Sequence, residues 1–228
     1  MTVMENILKR VINYYSEREI VDINTDIYEE KVDPELVWNF IKEDILKCSG
    51  TVTMNKLNKR TTNIDNFDMD FIGVYSNEDN TNIKVILPKL TNLKSALIYV
   101  HEMTHYVFLE SRKGIKTDKI WFDEIIPFLS EFYFLRKYYP EEYFDNHVKK
   151  IRNNVIKYSK ELKNNENDNK FEKISYIFSY YILKTYEFLK EYEHEIEKVN
   201  QSKVYILDGL LKHIQLFNYS IYNSFYKD

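Results

Sequence analysis

The residues best able to do chemistry lie in Tyr99-Val100-His101-Glu102-Met103-Thr104-His105-Tyr106, a His-Glu-x-x-His run inside a strongly helical pattern. On an α-helix this i, i+4 spacing stacks both imidazoles on one face, a turn apart. There they can hold a single Zn2+ while Glu102 reaches a metal-bound water as general base. Zinc in a hydrolytic site takes three protein ligands and leaves a fourth position open, so the run calls for another ligand downstream. Glu124, nineteen residues after His105 in Trp121-Phe122-Asp123-Glu124-Ile125-Ile126-Pro127, would complete a His2Glu set. Glu131 lies two turns further along the same face. It either orients a ligand or is itself the third ligand if Pro127 redirects the chain. The competing reading is a chance pair of histidines, expected in about one chain in a hundred of this histidine content.

Peptide-bond hydrolysis also needs donors for the developing oxyanion and a surface that holds the substrate extended. The run Tyr176-Ile177-Phe178-Ser179-Tyr180-Tyr181 sets hydroxyls four residues apart on one helical face, and a neutral phenol can donate to an oxyanion without adding charge. In a chain with twenty tyrosines, most of them must be packing residues. The strand-like run Ile83 to Leu87 is a candidate edge for pairing with a peptide backbone. His147, His194 and His213 stand alone among charged or aromatic residues and read as surface or packing histidines.

The elements that must position these groups follow from periodicity and punctuation. Residues 3 to 19 carry Ile7, Leu8, Val11, Ile12 and Tyr15 at helical spacing, and Asp33-Pro34-Glu35 opens a second helix that runs to Gly50. Alternation from Phe67 to Tyr75, a polar turn from Ser76 to Asn82, and the run Ile83 to Leu87 predict a small antiparallel sheet that Pro88 ends. Thr91 or Asn92 caps the next helix, whose core face is Leu93, Ala96, Leu97, Val100, Thr104, Val107 and Phe108, and Gly114 closes it. A helical stretch over about 118 to 139 holds Glu124 and Glu131. Its Pro127 either kinks the helix after Glu124 or starts a new one with Glu124 in the turn before. Two long helices at roughly 141 to 162 and 171 to 199, broken near Asn164 to Asn169, and a last one at about 203 to 225 complete the chain.

A resemblance joins these pieces. HEMTH followed by Glu124 resembles the gluzincin metallopeptidases. Within them, Glu124 to Glu131 (E-I-I-P-F-L-S-E) is similar to the E-A-P-S-x-x-x-E segment of the oligoendopeptidase F and thimet oligopeptidase family, and Ser175 to Tyr181 to its G-Y-x-x-x-Y-Y motif. The match covers about residues 95 to 185. It implies a zincin-like catalytic domain with Tyr176 and Tyr180 as oxyanion donors. The chain departs from the family pattern at Thr104, where the family has Gly, in the position of Pro127, and at Leu183, which replaces a third tyrosine. Trp121 and Glu124 are also similar to an aminopeptidase W-x-x-E segment, but no G-x-M-E-N motif precedes His101.

Length and composition agree with one compact domain over 1 to 228. Helices and a small sheet would fill 1 to 90, and a helical zinc-binding half would fill 91 to 228. The 228 residues are 44% hydrophobic and 16% aromatic, with only four Gly and four Pro, which favours a sizeable core built from long regular elements. A net charge of -4 without a long basic block gives no footprint for nucleic acid or an anionic membrane. The single Cys48, the lack of a signal-peptide pattern and the lack of a membrane span point to the cytoplasm. The expected protein is α+β and mostly α, a zinc-dependent metallopeptidase acting on short or unfolded peptides. The rival expectations are a regulatory or toxin-like protease of narrow specificity and a silent metal-binding interaction module.

Overall fold

The computed structural model describes residues 3–46, 61–64, 72–76, 82–111, 124–164 and 170–191. The elements are α1 (Val3–Ser16), a 3-10 turn (Asp26–Glu29), α2 (Pro34–Phe40) continuing as a π-helical stretch (Ile41–Leu46), β1 (Thr61–Ile64), β2 (Gly73–Ser76) and β3 (Ile83–Pro88). They are followed by α3 (Leu93–Ser111), α4 (Ile125–Tyr138), α5 (Glu141–Lys163) and α6 (Lys170–Glu191). The protein is mostly helical with one small sheet, as its composition and periodicity predict. Among the described residues, no helix is long and apolar enough to cross a membrane.

The sheet differs from expectation in two respects. Its order is β1-β3-β2. β2 pairs antiparallel with β3, as expected, but β1 pairs parallel with β3 on the other side, so the sheet is mixed. Ile83 to Leu87 therefore forms the central strand. Its hydrogen-bonding edges are taken, and it cannot be the open edge that its sequence suggested. Ile83, Val85 and Leu87 turn one face into the core while Lys84 on the other face is exposed, an alternation that an edge strand and a central strand share.

The helix boundaries follow local chemistry. The Asp33 carboxylate accepts from Glu35 N–H at 2.9 Å, and Pro34 occupies the first helical position, where its missing N–H costs nothing. This helix widens into a π stretch after Phe40 instead of running straight on. α1 stops at Ser16, where the side chain turns back onto the Asn13 carbonyl at 2.8 Å. α3 is capped by Asn92, whose side chain accepts from Ser95 N–H while Ser95 Oγ accepts from Asn92 N–H, both at 3.0 Å. The arrangement works like a capping box, with Ser95 in place of the usual glutamate.

α3 is the centre of the fold. Leu93, Ala96, Leu97, Val100, Met103, Tyr106 and Val107 are buried, as is Thr104, whose hydroxyl donates to the Val100 carbonyl at 2.7 Å. The sheet, the N-terminal turn and α4 pack around the helix. Lys94, Ile98, His101, His105 and Leu109 remain partly accessible at spacings of three to four, with Glu102 beside His101, and make one stripe along the helix. The predicted core face is therefore the observed one, except that the side chain of Phe108 lies outside the described residues. So do the ends predicted at Gly50 and Gly114, the strand start from Phe67 to Phe71, the helix from 203 to 225, Cys48, His194 and His213.

Candidate metal centre

The accessible stripe of α3 carries His101 and His105 with their rings 4.9 Å apart and their Nε2 atoms 3.2 Å apart. Facing them is Glu124. Of the helical stretch expected over about 118 to 139, residues 118 to 123 lie outside the described residues; the described helix begins at Ile125, with Glu124 as the residue before it and Pro127 in the first turn, where no intrahelical N–H is required. Phe128 N–H donates to the Glu124 carbonyl at 3.0 Å and fixes that turn. The Glu124 Oε2 atom then lies 3.0 Å from His101 Nε2 and 3.5 Å from His105 Nε2.

These three distances are compatible with a bound metal ion. A tetrahedral zinc with ligands at about 2.0–2.1 Å holds them roughly 3.3–3.4 Å apart. The triangle of 3.2, 3.0 and 3.5 Å has that size. Among the described residues, His101, His105 and Glu124 are the group whose ligand atoms can meet on one metal ion. The site also stays open on one side. The His101, His105 and Glu124 side chains retain 17%, 16% and 19% of their exposure, against 8% for Glu131 and 4% for His147 behind them.

Charge is arranged to favour a cation. Burial pushes the Glu124 carboxyl upward, but the charge of His105 and the contacts with His101 outweigh it and hold the group well below the usual carboxylate range. Burial lowers both imidazoles, and Glu131 and Glu124 more than reverse this at His101, as Glu124 does at His105. The carboxylates beside the two imidazoles make this a place where positive charge is stabilised.

Glu131 takes the orienting role left open by its spacing. It contacts His101 through Nδ1, the nitrogen away from Glu124, and so does not join the cluster of ligand atoms. Its other oxygen meets His147 Nε2. Of the two expectations for His147 the packing one holds: it is 3% exposed, and it is also engaged on both ring nitrogens, with Tyr28 Oη 3.3 Å from Nδ1. One signal could have found it. Glu131 and His147 fall at similar distances before and after the Tyr139–Pro140 turn, so a helical hairpin places them opposite each other.

Glu102 sits one residue past a ligand, and its Oε2 atom comes within 3.9 Å of where a Cβ on Gly73 would stand. Gly73 has φ +156°, a conformation that suits glycine, and begins β2, the strand beside the site. The exposed Tyr75 ring projects from the same face of that strand.

The two tyrosines carried over by resemblance part company. Tyr176 packs edge-on against Phe128, centroids 4.7 Å apart, and Phe128 in turn lies 6.1 Å from the His101 ring. Its hydroxyl accepts from Asn154 at 3.3 Å, and burial, with the charges of Glu131 and Glu124 adding to it, pushes its phenol well above the ordinary value. Tyr180 is 3% exposed and packs against Tyr15 of α1, 5.9 Å away, which makes it part of the helical core. Sequence reading passed over Tyr158, which stacks edge-on with Tyr176 at 5.3 Å and also feels the charge of Glu124. Compared with known proteins, the chain matches no family model, no curated protein and no solved structure.

Proposed function

We propose that the chain is a zinc-dependent peptidase of the gluzincin kind, zincin-like in its catalytic half, acting on extended peptide or unfolded protein. The observation that carries this reading is the convergence of His101 Nε2, His105 Nε2 and Glu124 Oε2 at tetrahedral spacing, with Glu102 beside them. A pure metal store has no use for that fourth group. A zinc ion held by His101, His105 and Glu124 would supply Lewis acidity and lower the pKa of water at the site.

The chain's own residues divide the remaining work. Glu102 is placed to take a proton from water and return it to the leaving amine. Tyr176, one ring removed from His101 through Phe128, would be the donor to developing negative charge. The backbone of β2 has β3 on one side and, among the described residues, no strand on the other, so an extended peptide can pair along it. This moves the substrate edge from β3 to β2. The single cysteine fits a reducing compartment, and we place the protein in the cytoplasm.

The test is digestion of an unfolded protein and a peptide library by zinc-loaded protein, beside the Glu102→Gln variant with matched zinc content. Cleavage by the first and not the second is expected. Zinc binding without cleavage by either would make the protein a binding module.

A further inference from the structure

We infer that His147 and Tyr28 are positioning residues of the metal centre, joined to it in the order Tyr28, His147, Glu131, His101. The inference rests on the metal-site reading above and extends it 119 residues along the chain, from α5 to the 3-10 turn near the N-terminus.

Proton bookkeeping fixes the direction of the string. An ionised carboxylate only accepts, so Glu131 needs an N–H on each side. His101 must therefore carry its proton on Nδ1, which leaves the Nε2 lone pair facing His105 and Glu124. His147 must carry its proton on Nε2. Its Nδ1 is then an acceptor, and Tyr28 O–H, 3.3 Å away, is the donor that completes it. This arrangement satisfies each contact from Tyr28 to His101, and it presents the His101 Nε2 lone pair to a metal.

The far end of the string is itself anchored. Asn146, next to His147, accepts from Asn24 N–H at 2.7 Å and donates to the Asn24 carbonyl at 2.8 Å. Two turns further on, Asn153 grips Val21 in the same way at 3.0 and 2.7 Å. Lys150 covers the Tyr28 ring, with Nζ 4.1 Å from the centroid. The segment leading to Tyr28 is thus fixed on α5 through its backbone, whatever its own side chains are.

The experiment measures Zn2+ affinity of the full chain by competition with a chromophoric chelator, together with the Co2+ absorption spectrum and the melting temperature of the metal-free protein. His147→Phe keeps a ring but removes the donor, whereas His147→Gln restores an N–H near the position of Nε2. Expected is a 10 to 100-fold loss of Zn2+ affinity and an altered Co2+ spectrum for His147→Phe, with His147→Gln within about threefold of wild type and Tyr28→Phe in between. Long-range 1H–15N spectra of the zinc-loaded wild type should show the proton on Nε2 of His147 and on Nδ1 of His101. Equal affinity of wild type and His147→Phe overturns the inference, as does a His147→Gln variant that loses as much as His147→Phe. If His147→Phe fails to fold, the wild-type spectra decide: a His147 without its Nε2 proton refutes the string. A wild type that binds no zinc overturns the metal-site reading itself, and the two failures are distinguished by that first titration.

Discussion

Replacing Tyr176 by Phe, beside the same change at Tyr180, separates a donor near the site from a core residue. Tyr176→Phe removes the acceptor of Asn154 Nδ2, a part-buried hydrogen bond of 3.3 Å. Such a bond contributes about 0.5–1.5 kcal/mol net, and in a chain of this size each kcal/mol moves Tm by about 2–4 °C, so a fall of roughly 1–6 °C is expected. If the hydroxyl also serves developing negative charge, turnover falls about 100 to 1000-fold, equivalent to roughly 2.7–4 kcal/mol. Tyr180 lies 3% exposed against Tyr15, and the same substitution there should touch stability alone. The assay is steady-state cleavage of a quenched fluorogenic peptide at matched zinc content, read beside thermal melts. Turnover within a few fold of wild type in Tyr176→Phe would refute the donor role, and a larger loss at Tyr180 than at Tyr176 would refute the placement of both.

Glu102→Gln should keep its zinc and lose at least about 100-fold in turnover, since general base catalysis contributes that much; metal analysis beside peptide hydrolysis checks it. Gly73→Val should fold with a lower Tm, because β-branched residues tolerate φ +156° poorly, and its methyl groups would crowd Glu102 Oε2, 3.9 Å from the Cβ position. Its turnover should fall while its zinc content holds, and full activity would remove β2 from the site. Tyr75→Ala should raise KM with little change in kcat if the exposed ring meets bound substrate, as peptide kinetics would show. Burial raises the phenols of Tyr15, Tyr28, Tyr158 and Tyr176, the first to about 12. Above about pH 10 the unfolded chain releases protons that the folded chain keeps, so stability should fall as pH rises through 10. Urea melts from pH 9 to 11.5 follow this, and a flat profile would contradict it.

The parts of the site that were legible in the sequence are those set by spacing within one helix. His101 and His105 share a face because the i, i+4 relation fixes it, and Leu93, Ala96, Leu97, Val100, Thr104 and Val107 turn inward for the same reason. Glu124 was legible as a candidate but its geometry was not, because Pro127 allowed two backbones and the place of Glu124 opposite the histidines depends on packing of α4 on α3. The strand order was hidden, since β1 reaches β3 by a parallel pairing that no local pattern announces. His147 was legible only through the hairpin that sets it opposite Glu131, and Tyr28 was invisible, since its meaning arises from a contact 119 residues along the chain. Tyr176 and Tyr180 were read as sharing one environment because they share one helical face. The helix passes from α4 and α5 near Tyr176 to α1 near Tyr180 within a single turn.

Zinc titration of the metal-free protein, in wild type and in Glu124→Ala and Glu131→Ala, tests the central claim most directly. Wild type should bind one Zn2+ per chain. Glu124→Ala should lose tight binding because a ligand is gone, whereas Glu131→Ala should still bind one ion, about 10 to 100-fold more weakly, because only the support of His101 is removed. A wild type that takes up no zinc, or a Glu124→Ala variant that binds as tightly as wild type, would contradict the assignment of His101, His105 and Glu124 as a metal centre.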